Sequence, residues 1–274
     1  MTTTIAAPTV SGAPHSDRPA TRLRWAVSDT LTITRRNLLA LTRIPEALFF
    51  SAVQPIMFVL LFVYVFGNAI KTPGSSYVNY LMAGVFVQTV AFGAVSTSVG
   101  LAEDLQKGLI ERFRALPMAR SAVLIGRTTS DSVRNVFVVI IITVVGLLVG
   151  FRPTTGVVAY VAATLLILLF AYSLSWGFAM IGLSAANAET AQVMSFPLLF
   201  PLTFVSSAFV PVSSMPSWLQ GFATYQPFSV TISACRALMI GGPTATWVIQ
   251  SVAWTVGLLI IFIPLSSWRY RTRT

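Results

Sequence analysis

The sequence predicts an all-α, polytopic membrane protein with six transmembrane helices. Of its 274 residues, 55% are hydrophobic and only 9% are charged, against roughly 25% charged residues in soluble domains. So few charges cannot cover a surface that faces water, and most of the surface is therefore expected to face lipid. Two further observations support this fold class: six apolar runs of spanning length, and basic residues that cluster between alternate runs.

The N-terminal part contains two segments before the first span. Residues 1–20 are rich in Thr, Ala and Pro, lack the apolar core of a signal peptide, and predict a disordered cytoplasmic tail. Residues 21–274 are expected to form a single transmembrane domain. From about residue 22 to 44, apolar residues recur at near-helical spacing and predict a helix that lies in the membrane interface. These residues are Leu23, Val27, Leu31, Leu38 and Leu41.

Each of the six apolar runs is long enough to cross the bilayer, which takes about 20 residues. They cover about residues 47–67, 78–101, 133–151, 157–183, 190–210 and 245–268. An even number of spans places both termini on one side, and the positive-inside rule identifies that side. Of the 18 basic residues, all but Lys71, Arg152 and Arg236 flank the spans on the side of the termini. Both termini are therefore predicted to be cytoplasmic.

The excess of Arg over Lys indicates a bacterial source, and hence the bacterial plasma (inner) membrane.

Two segments between the spans predict shorter helices. After the second span, Leu101, Leu105, Leu109, Phe113 and Leu116 form one apolar stripe beside charged neighbours. This pattern predicts a cytoplasmic amphipathic helix that ends at Pro117. On the outer side, residues 211–243 are too polar to span and too apolar for a free loop, which predicts two short helices that enter the membrane partway. The residues that mark this outer re-entrant region are Pro211, Pro216, Trp218, Pro227 and Arg236.

The sequence lacks the motifs of several function classes. It has no G-x-x-x-x-G-K-[ST] motif, so the chain itself is not expected to bind ATP through a P-loop. Its single histidine, His15, and single cysteine, Cys235, cannot build a catalytic triad or a metal centre. Basic residues between apolar runs indicate membrane topology rather than nucleic acid binding. We therefore predict no catalytic residue, no metal site and no cofactor bound by this chain.

Uncharged polar residues in the second and fifth spans predict a route for a large, mostly apolar substrate. Ionisable residues such as Glu46 and Arg134 fall near span ends, from which long side chains reach the interface. This placement disfavours ion coupling, because a coupling ion needs an ionisable partner at membrane depth. Weakly polar side chains also pack helices together, so a purely structural role stays open. The candidate path residues are Gln88, Ser96, Gln192, Ser195, Thr203 and Ser206.

The loop after the second span carries a run that resembles a known family. Residues 111–120, with the sequence ERFRALPMAR, are followed by Gly126 and Arg127. This run resembles the E-R-x-R-x-L-P-x-x-R loop of ABC-2-type transporter permeases, in particular the daunorubicin- and doxorubicin-resistance group. The interfacial segment and the outer stretch around residues 209–219 resemble the same family, with Gln226-Pro227 where many members have Asn-Pro. The likeness extends from about residue 22 to 273.

The resemblance implies the permease half of a multidrug or antibiotic exporter. Two permease chains, identical or homologous, would bind two separate ABC ATPase subunits, which hold the ATP and magnesium. Their closure would drive a hydrophobic drug, antibiotic or lipid-like substrate out of the cell. The loop after the second span would be the coupling helix that docks on the ATPase. The docking residues so implied are Leu109, Glu111, Arg112, Phe113, Arg114, Leu116, Pro117 and Arg120.

Two other functions stay open from the residues alone. An ion-coupled secondary transporter would keep working without ATP, and a non-transporting membrane scaffold would show no substrate-dependent ATP turnover. The charged loop also fits a solvated face that its arginines anchor to lipid. An intramembrane enzyme is the weakest alternative, because no catalytic set assembles at membrane depth. Neither the substrate nor the identity of the second permease chain follows from the sequence.

Overall fold

A computed structural model describes residues 30–34, 45–67, 69–70, 72, 76–109 and 120–272. These residues are mostly helical and contain no β-strand, which confirms the predicted all-α class for this part of the chain. A π-helical turn, Phe62–Phe66, extends the first helix, and a 3-10 turn, Val212–Ser214, precedes the sixth. The helices are α1 Pro45–Leu61, α2 Tyr77–Gln106, α3 Arg120–Val149, α4 Val157–Ser184, α5 Ala188–Phe204, α6 Ser217–Tyr225, α7 Pro227–Ile240 and α8 Thr244–Thr272.

Four of these helices are long and apolar enough to cross a membrane: α2, α3, α4 and α8. The helices α1 and α5 coincide with the predicted first and fifth spans, but each has only 17 residues. At 1.5 Å per residue such a helix is about 26 Å long, slightly short of the roughly 30 Å hydrocarbon core. Their crossing therefore remains a prediction, as does the total of six.

The helix α2 is the central axis of the bundle. It contacts α1, α3, α4, α5 and α7, and most of its side chains are buried. Close approach depends on two glycines: a Cβ atom at Gly182 of α4 would overlap the backbone of Ser98, and one at Gly84 of α2 would overlap the backbone of Ala208. Small residues at such positions let helices pack at short distance.

The two ends of the bundle differ in composition. We call the end that carries Asp104, Arg127, Asp131 and Arg134 the charged end, and the opposite end, at which α6 and α7 lie, the short-helix end. Residues 205–243 start and finish at the short-helix end. Near their start, the Tyr77 hydroxyl donates to the Phe209 carbonyl over 3.2 Å. Near their end, Thr154 N donates to the Met239 carbonyl over 3.1 Å.

Between these two points the chain turns toward the middle of the bundle. The indole nitrogen of Trp254 donates to the Tyr225 carbonyl at the end of α6 over 3.2 Å. Trp254 lies about ten residues into α8, or about 15 Å from its start. The turn between α6 and α7 therefore lies deeper in the bundle than the start and the end of residues 205–243. Gln226 caps this turn: its Oε1 accepts from Phe228 N over 3.3 Å, and its Nε2 donates to the Leu202 carbonyl over 2.8 Å.

Only residues 30–34 of the predicted interfacial helix are described, and they are helical. Ile33 is buried against Gly126 of α3, and the Thr34 hydroxyl donates to the Gly126 carbonyl over 3.3 Å. Leu31, a member of the predicted apolar stripe, is exposed. The rest of that segment and the N-terminal tail lie outside the described residues.

Candidate functional site

The predicted docking segment lies between α2 and α3. Six of its eight named residues lie outside the described residues, so their contact with an ATPase stays a prediction: Glu111, Arg112, Phe113, Arg114, Leu116 and Pro117. Leu109 lies just after α2 and is partly buried, and Arg120 is the first residue of α3. The described residues therefore show how α2 and α3, which flank this segment, are held against each other.

An ionic network joins α2 and α3 beside this segment. At its centre is Asp131 of α3, which is only 3% exposed. Its Oδ2 accepts from the Thr97 hydroxyl over 2.5 Å. The same oxygen lies 3.8 Å from Arg127 Nε, and Oδ1 lies 3.6 Å from Arg134 Nη1. Arg127 Nη1 also lies 3.9 Å from Asp104 Oδ2 of α2. A buried carboxylate with two cationic partners is costly to disrupt.

Both arginines of the network also bind the backbone of α2. Arg134 Nη2 donates to the Gly93 carbonyl over 2.7 Å, and Arg127 Nη2 donates to the Ser96 carbonyl over 3.2 Å. Gly100 leaves room for this contact, because a Cβ atom there would overlap the Arg127 guanidinium. Arg134 was expected to reach toward the interface from a span end. It turns instead into the α2–α3 contact, and its side chain is 11% exposed.

The sequence holds a signal for this network that the span prediction missed. Arg127, Asp131 and Arg134 are four and three residues apart, which places them on one face of a helix. Because the third span was predicted to start at residue 133, Arg127 and Asp131 were assigned to the loop. The helix in fact begins at Arg120. The partner helix carries Thr97 and Asp104, which are two turns apart and also share a face.

A cavity of about 150 Å³ lies where α1, α2 and α3 meet. Its apolar walls come from Pro55, Phe58, Phe92 and Val138. Its polar walls come from Gln54, Gln88, Thr89, Ser96, Arg134 and Asn135. Among the polar residues, Gln88 is 5% and Asn135 is 2% exposed. Asn135 Nδ2 is buried and has no hydrogen-bond partner among the described residues. The cavity therefore combines apolar walls with several polar groups, among them the guanidinium of Arg134.

A series of aromatic contacts continues from this cavity toward the short-helix end. Two of its members, Phe58 and Phe92, line the cavity itself. The Phe62 and Phe209 ring centroids are 4.5 Å apart, and those of Phe200 and Phe204 are 5.0 Å apart. All the contacts are within 6.3 Å. We call this set the phenylalanine row; it consists of Phe58, Phe62, Phe92, Phe196, Phe200, Phe204 and Phe209.

The phenylalanine row was not identified from the sequence, although its spacing is visible there. Phe196, Phe200 and Phe204 recur every fourth residue along α5, and Phe58 and Phe62 do so along α1. Such spacing aligns side chains on one helix face. What the sequence does not show is that the faces of α1 and α5 meet at Phe209. Phe200 and Phe204 remain exposed in the single chain.

The structure does not bring the six predicted path residues into one channel. Gln88 and Ser96 line the cavity, whereas Gln192 lies on the exposed side of α5. The Ser195 hydroxyl is 2.9 Å from that of Ser98 and joins α5 to α2. Thr203 and Ser206 are also buried. For these three buried hydroxyls the geometry favours the helix-packing role that the sequence left open.

The outer residues predicted from sequence surround α6 and α7. Pro211 precedes the 3-10 turn, Pro216 precedes α6 and Pro227 is the first residue of α7. Trp218 is exposed. Arg236, which was predicted to belong to this region of short helices, lies within α7, and its guanidinium carbon is 3.6 Å from the centroid of the Tyr80 ring.

Comparisons of the sequence with known proteins identify the family. The family model described as ABC-2 type transporter matches residues 28–240. The daunorubicin resistance ABC transporter permease protein DrrB1 of Streptomyces coeruleorubidus is 35% identical over 94% of this chain and 90% of its own length. The probable doxorubicin resistance ABC transporter permease protein DrrC of Mycobacterium tuberculosis is 29% identical over 92% and 91%. The putative transport permease ycf38 of Porphyra purpurea is 25% identical over 80% and 77%.

These matches cover α1 to α7, including the cavity, the phenylalanine row and the ionic network. The resemblance that the sequence suggested through its ERFRALPMAR run is thereby confirmed at the level of the family. The chain is similar to drug-resistance permeases and belongs to the ABC-2 type transporter family.

Proposed function

We propose that this chain is the membrane subunit of an ATP-driven exporter that moves a hydrophobic, aromatic drug-like or antibiotic molecule out of the cell. ATP hydrolysis would take place on a separate ABC ATPase subunit. The observation that carries the substrate class is the phenylalanine row, which leads away from the cavity between α1, α2 and α3. The drug-resistance names of two relatives support the same class.

The cavity and the row have complementary tasks in this proposal. Aromatic rings stack on planar apolar molecules with a contribution of about 0.5–1.5 kcal/mol per pair beyond area burial. Gln88 and Asn135 would hydrogen-bond the few polar groups of such a molecule and so orient it at the start of the route. Ring contacts then continue along α1 and α5. A molecule could therefore pass from ring to ring without losing its apolar surroundings.

The ionic network would transmit force from the ATPase. Because Asp131, Arg127 and Arg134 tie α3 to α2, a push on the segment between these helices moves both as one body. Packed interfaces of this kind shift between discrete arrangements rather than deforming gradually. Since α2 forms one wall of the cavity, its displacement would change the cavity's shape. Nucleotide-driven closure would in this way be coupled to movement of the substrate.

A second permease chain would complete the route. The second and fifth spans, which were predicted to line the route, are the first candidates to face this partner. The helix α2 lies at the centre of the bundle, and its exposed surface is small. The exposed faces beside the row belong to α1, with Met57 and Tyr64, and to α5, with Leu198 and Phe200. We therefore propose that α1 and α5 form most of the contact with the partner chain.

Replacement of row residues tests the substrate class. We expect Phe62→Ala combined with Phe200→Ala to weaken binding of an aromatic drug, measured by fluorescence quenching on the purified protein, by on the order of tenfold. Efflux from cells should fall in parallel. The matched control is Phe137→Ala, which removes an exposed phenylalanine of α3 outside the row. If control and double variant lose binding equally, the row is not the route.

Two further variants test the ATPase partner and its coupling. We expect a P-loop ATPase to co-purify with the tagged chain from mildly solubilised membranes, and to be lost on combining Glu111→Ala with Arg114→Ala. Asp131→Asn should retain the ATPase but lose drug-stimulated hydrolysis, because the two helices no longer move together. Intact export in both variants would disprove the docking and the coupling proposals.

One observation favours ion coupling as a second candidate. Asp131 is an ionisable residue buried within a helix that is long enough to span, which the sequence analysis did not foresee. Its partner Thr97 is about 20 residues from the start of α2, or about 30 Å along the axis, so the network lies at one end rather than at the midplane. Export that survives ATP depletion but stops when the proton gradient collapses would establish this second candidate.

A further inference from the structure

We propose that a pocket beside Arg236, at the short-helix end, binds a phosphate oxyanion presented by the headgroup of an anionic phospholipid. The proposal does not depend on the transported substrate or on the ATPase. It depends on a large cavity, a cation without a counter-charge among the described residues, unpaired polar groups, and a Tyr and a Trp that line the pocket near the ends of two spans.

The pocket has a volume of about 530 Å³ and lies between α2, α6, α7 and the start of α8. Hydroxyl groups and one cation form most of its polar wall, and aliphatic and indole groups form the remainder. The polar residues are Tyr80, Ser207, Thr224, Ser229, Ser233 and Arg236. The apolar residues are Pro211, Val212, Ile240 and Trp247.

Arg236 is held in place but not saturated. Its Nη2 donates to the Ser207 carbonyl over 2.8 Å and to the Tyr80 carbonyl over 3.2 Å. Its guanidinium lies flat against the Tyr80 side chain, with Cζ 3.6 Å from the ring centroid. Its Nε is buried and has no hydrogen-bond partner among the described residues. Since a guanidinium has five N–H donors, the stacking fixes the plane of the group while donors remain for a ligand.

Among the described residues, no carboxylate forms an ion pair with this cation. All residues that line the pocket fall within 80–247, and the only acidic residues in that range are Glu103, Asp104, Glu111, Asp131 and Glu189. Those of the five that are described lie toward the charged end, away from Tyr80. A partly buried cation without a counter-ion is energetically unfavourable. An oxyanion in the pocket would supply the missing charge.

A second unpaired group lies on the same wall. Ser207 is 5% exposed, and its Oγ has no hydrogen-bond partner among the described residues. Its backbone N–H donates to the Ser229 hydroxyl over 3.0 Å, which keeps the two serines adjacent. Hydroxyl donors beside a planar guanidinium match the several acceptor oxygens of a phosphate. The pocket therefore has the chemistry of an oxyanion site.

The surroundings indicate that the phosphate belongs to a lipid. Trp247 lines the pocket from the first turn of α8, and Trp and Tyr residues near the ends of spans typically lie at the level of the headgroups. Tyr80 lies in the first turn of α2, close to the end of that span. Beside them, Phe222 and Ile249 offer exposed apolar surface for acyl chains. A headgroup can thus enter the pocket while its chains stay in the membrane.

Binding of phosphatidylglycerol by the purified, delipidated full-length chain tests the proposal. We expect native mass spectrometry in neutral detergent to show retained phosphatidylglycerol, and thermal unfolding to shift upward with its concentration. Arg236→Gln should weaken this binding by roughly tenfold or more, as expected when a charged hydrogen-bond partner is removed. The matched control is Arg152→Gln, which removes an equal charge from an exposed residue at the same end. An equal loss in the control would overturn the site.

A second variant tests the pocket independently, in case Arg236→Gln fails to fold. Ser233→Leu fills the pocket with an apolar side chain and leaves Arg236 and its two carbonyl partners unchanged. We expect it to lose phosphatidylglycerol while unfolding normally in neutral lipid. Retention of the lipid in Ser233→Leu would place the ligand outside the pocket and overturn the proposal.

Soluble glycerol phosphate distinguishes the two sources of the oxyanion. If it stabilises the wild-type chain far less than phosphatidylglycerol, the lipid assignment stands. If it stabilises the chain equally, and the effect is lost in Arg236→Gln and Ser233→Leu, the oxyanion site stands but the lipid source is overturned. If neither compound stabilises the chain, the whole proposal is overturned.

Discussion

At the scale of single residues, the charged groups of this apolar protein divide into two kinds. Asp131, Arg127 and Arg134 neutralise one another inside the α2–α3 contact. Arg236, by contrast, contacts the Tyr80 ring and two carbonyl oxygens but no carboxylate among the described residues. The first arrangement pairs opposite charges and is suited to holding helices together. The second leaves the cation without an opposite charge, and for that reason it indicates a ligand.

The loss of Asp131 should be strongly destabilising. In Asp131→Ala the two arginines stay in the helix contact without their carboxylate, and removing one partner of a buried ion pair typically costs about 3–5 kcal/mol. We expect a loss of this size in reversible unfolding of the purified chain in mild detergent.

The control for this prediction is Glu103→Gln. Its ion pair with Lys107, at 3.0 Å, joins two side chains that are 45% and 63% exposed. Exposed pairs contribute less than about 1 kcal/mol. A similar loss for both variants would mean that the network around Asp131 contributes no more than a surface pair.

At the scale of helices, the central position of α2 depends on glycines in its partners. Gly182 of α4 faces the backbone of Ser98 so closely that any side chain would overlap it. The polar contact between Ser98 and Ser195 lies at the same level and joins α5. Three helices therefore meet at this point without space for one further methyl group.

Gly182→Ala should destabilise the bundle even though alanine favours helices. An added Cβ must push α4 away from α2, and overpacking of this kind costs about 1–3 kcal/mol. The control is Gly257→Ala in α8, where a Cβ meets no atom within 4 Å; there the higher helix propensity should stabilise the protein by up to about 1 kcal/mol. Thermal unfolding in the same detergent measures both, and shifts in the same direction would contradict the packing argument.

At the scale of the whole molecule, the two ends of the bundle predict the orientation in the membrane. The basic residues concentrate toward the charged end, which the positive-inside rule assigns to the cytoplasm. The native Cys235 is fully buried, so the chain offers little background to a thiol reagent. Single cysteines can therefore report on each end separately.

Cysteine labelling of intact cells should distinguish the two ends. We expect Trp218→Cys, at an exposed position of α6, to react with a membrane-impermeant maleimide in intact cells. Lys107→Cys, at the exposed end of α2, should react only after the membrane is permeabilised. The unmodified chain serves as the background control. The reverse pattern would show that the orientation predicted from the arginines is wrong.

The sequence by itself determined the fold class, the family and the approximate positions of most described helices, although α3 begins at Arg120 rather than at the predicted residue 133. Apolar runs of about 20 residues dictate helices whatever their neighbours, because a backbone in lipid has no other way to satisfy its hydrogen bonds. The composition and the ERFRALPMAR run can likewise be read from the sequence without knowing any contact between helices. The predicted 157–183 span agrees closely with α4, because local polar residues mark both of its ends.

Only the tertiary structure decided which side chains meet. Phe62 and Phe209 are distant in the chain, as are Thr97 and Asp131, and Tyr80 and Arg236, and nothing local to either partner reveals the pairing. Contacts depend on how helices rotate about their axes, and close approach at Gly84 and Gly182 sets that rotation. The cavity, the phenylalanine row and the oxyanion pocket all arise from these contacts between helices, which is why helix patterns alone did not predict them.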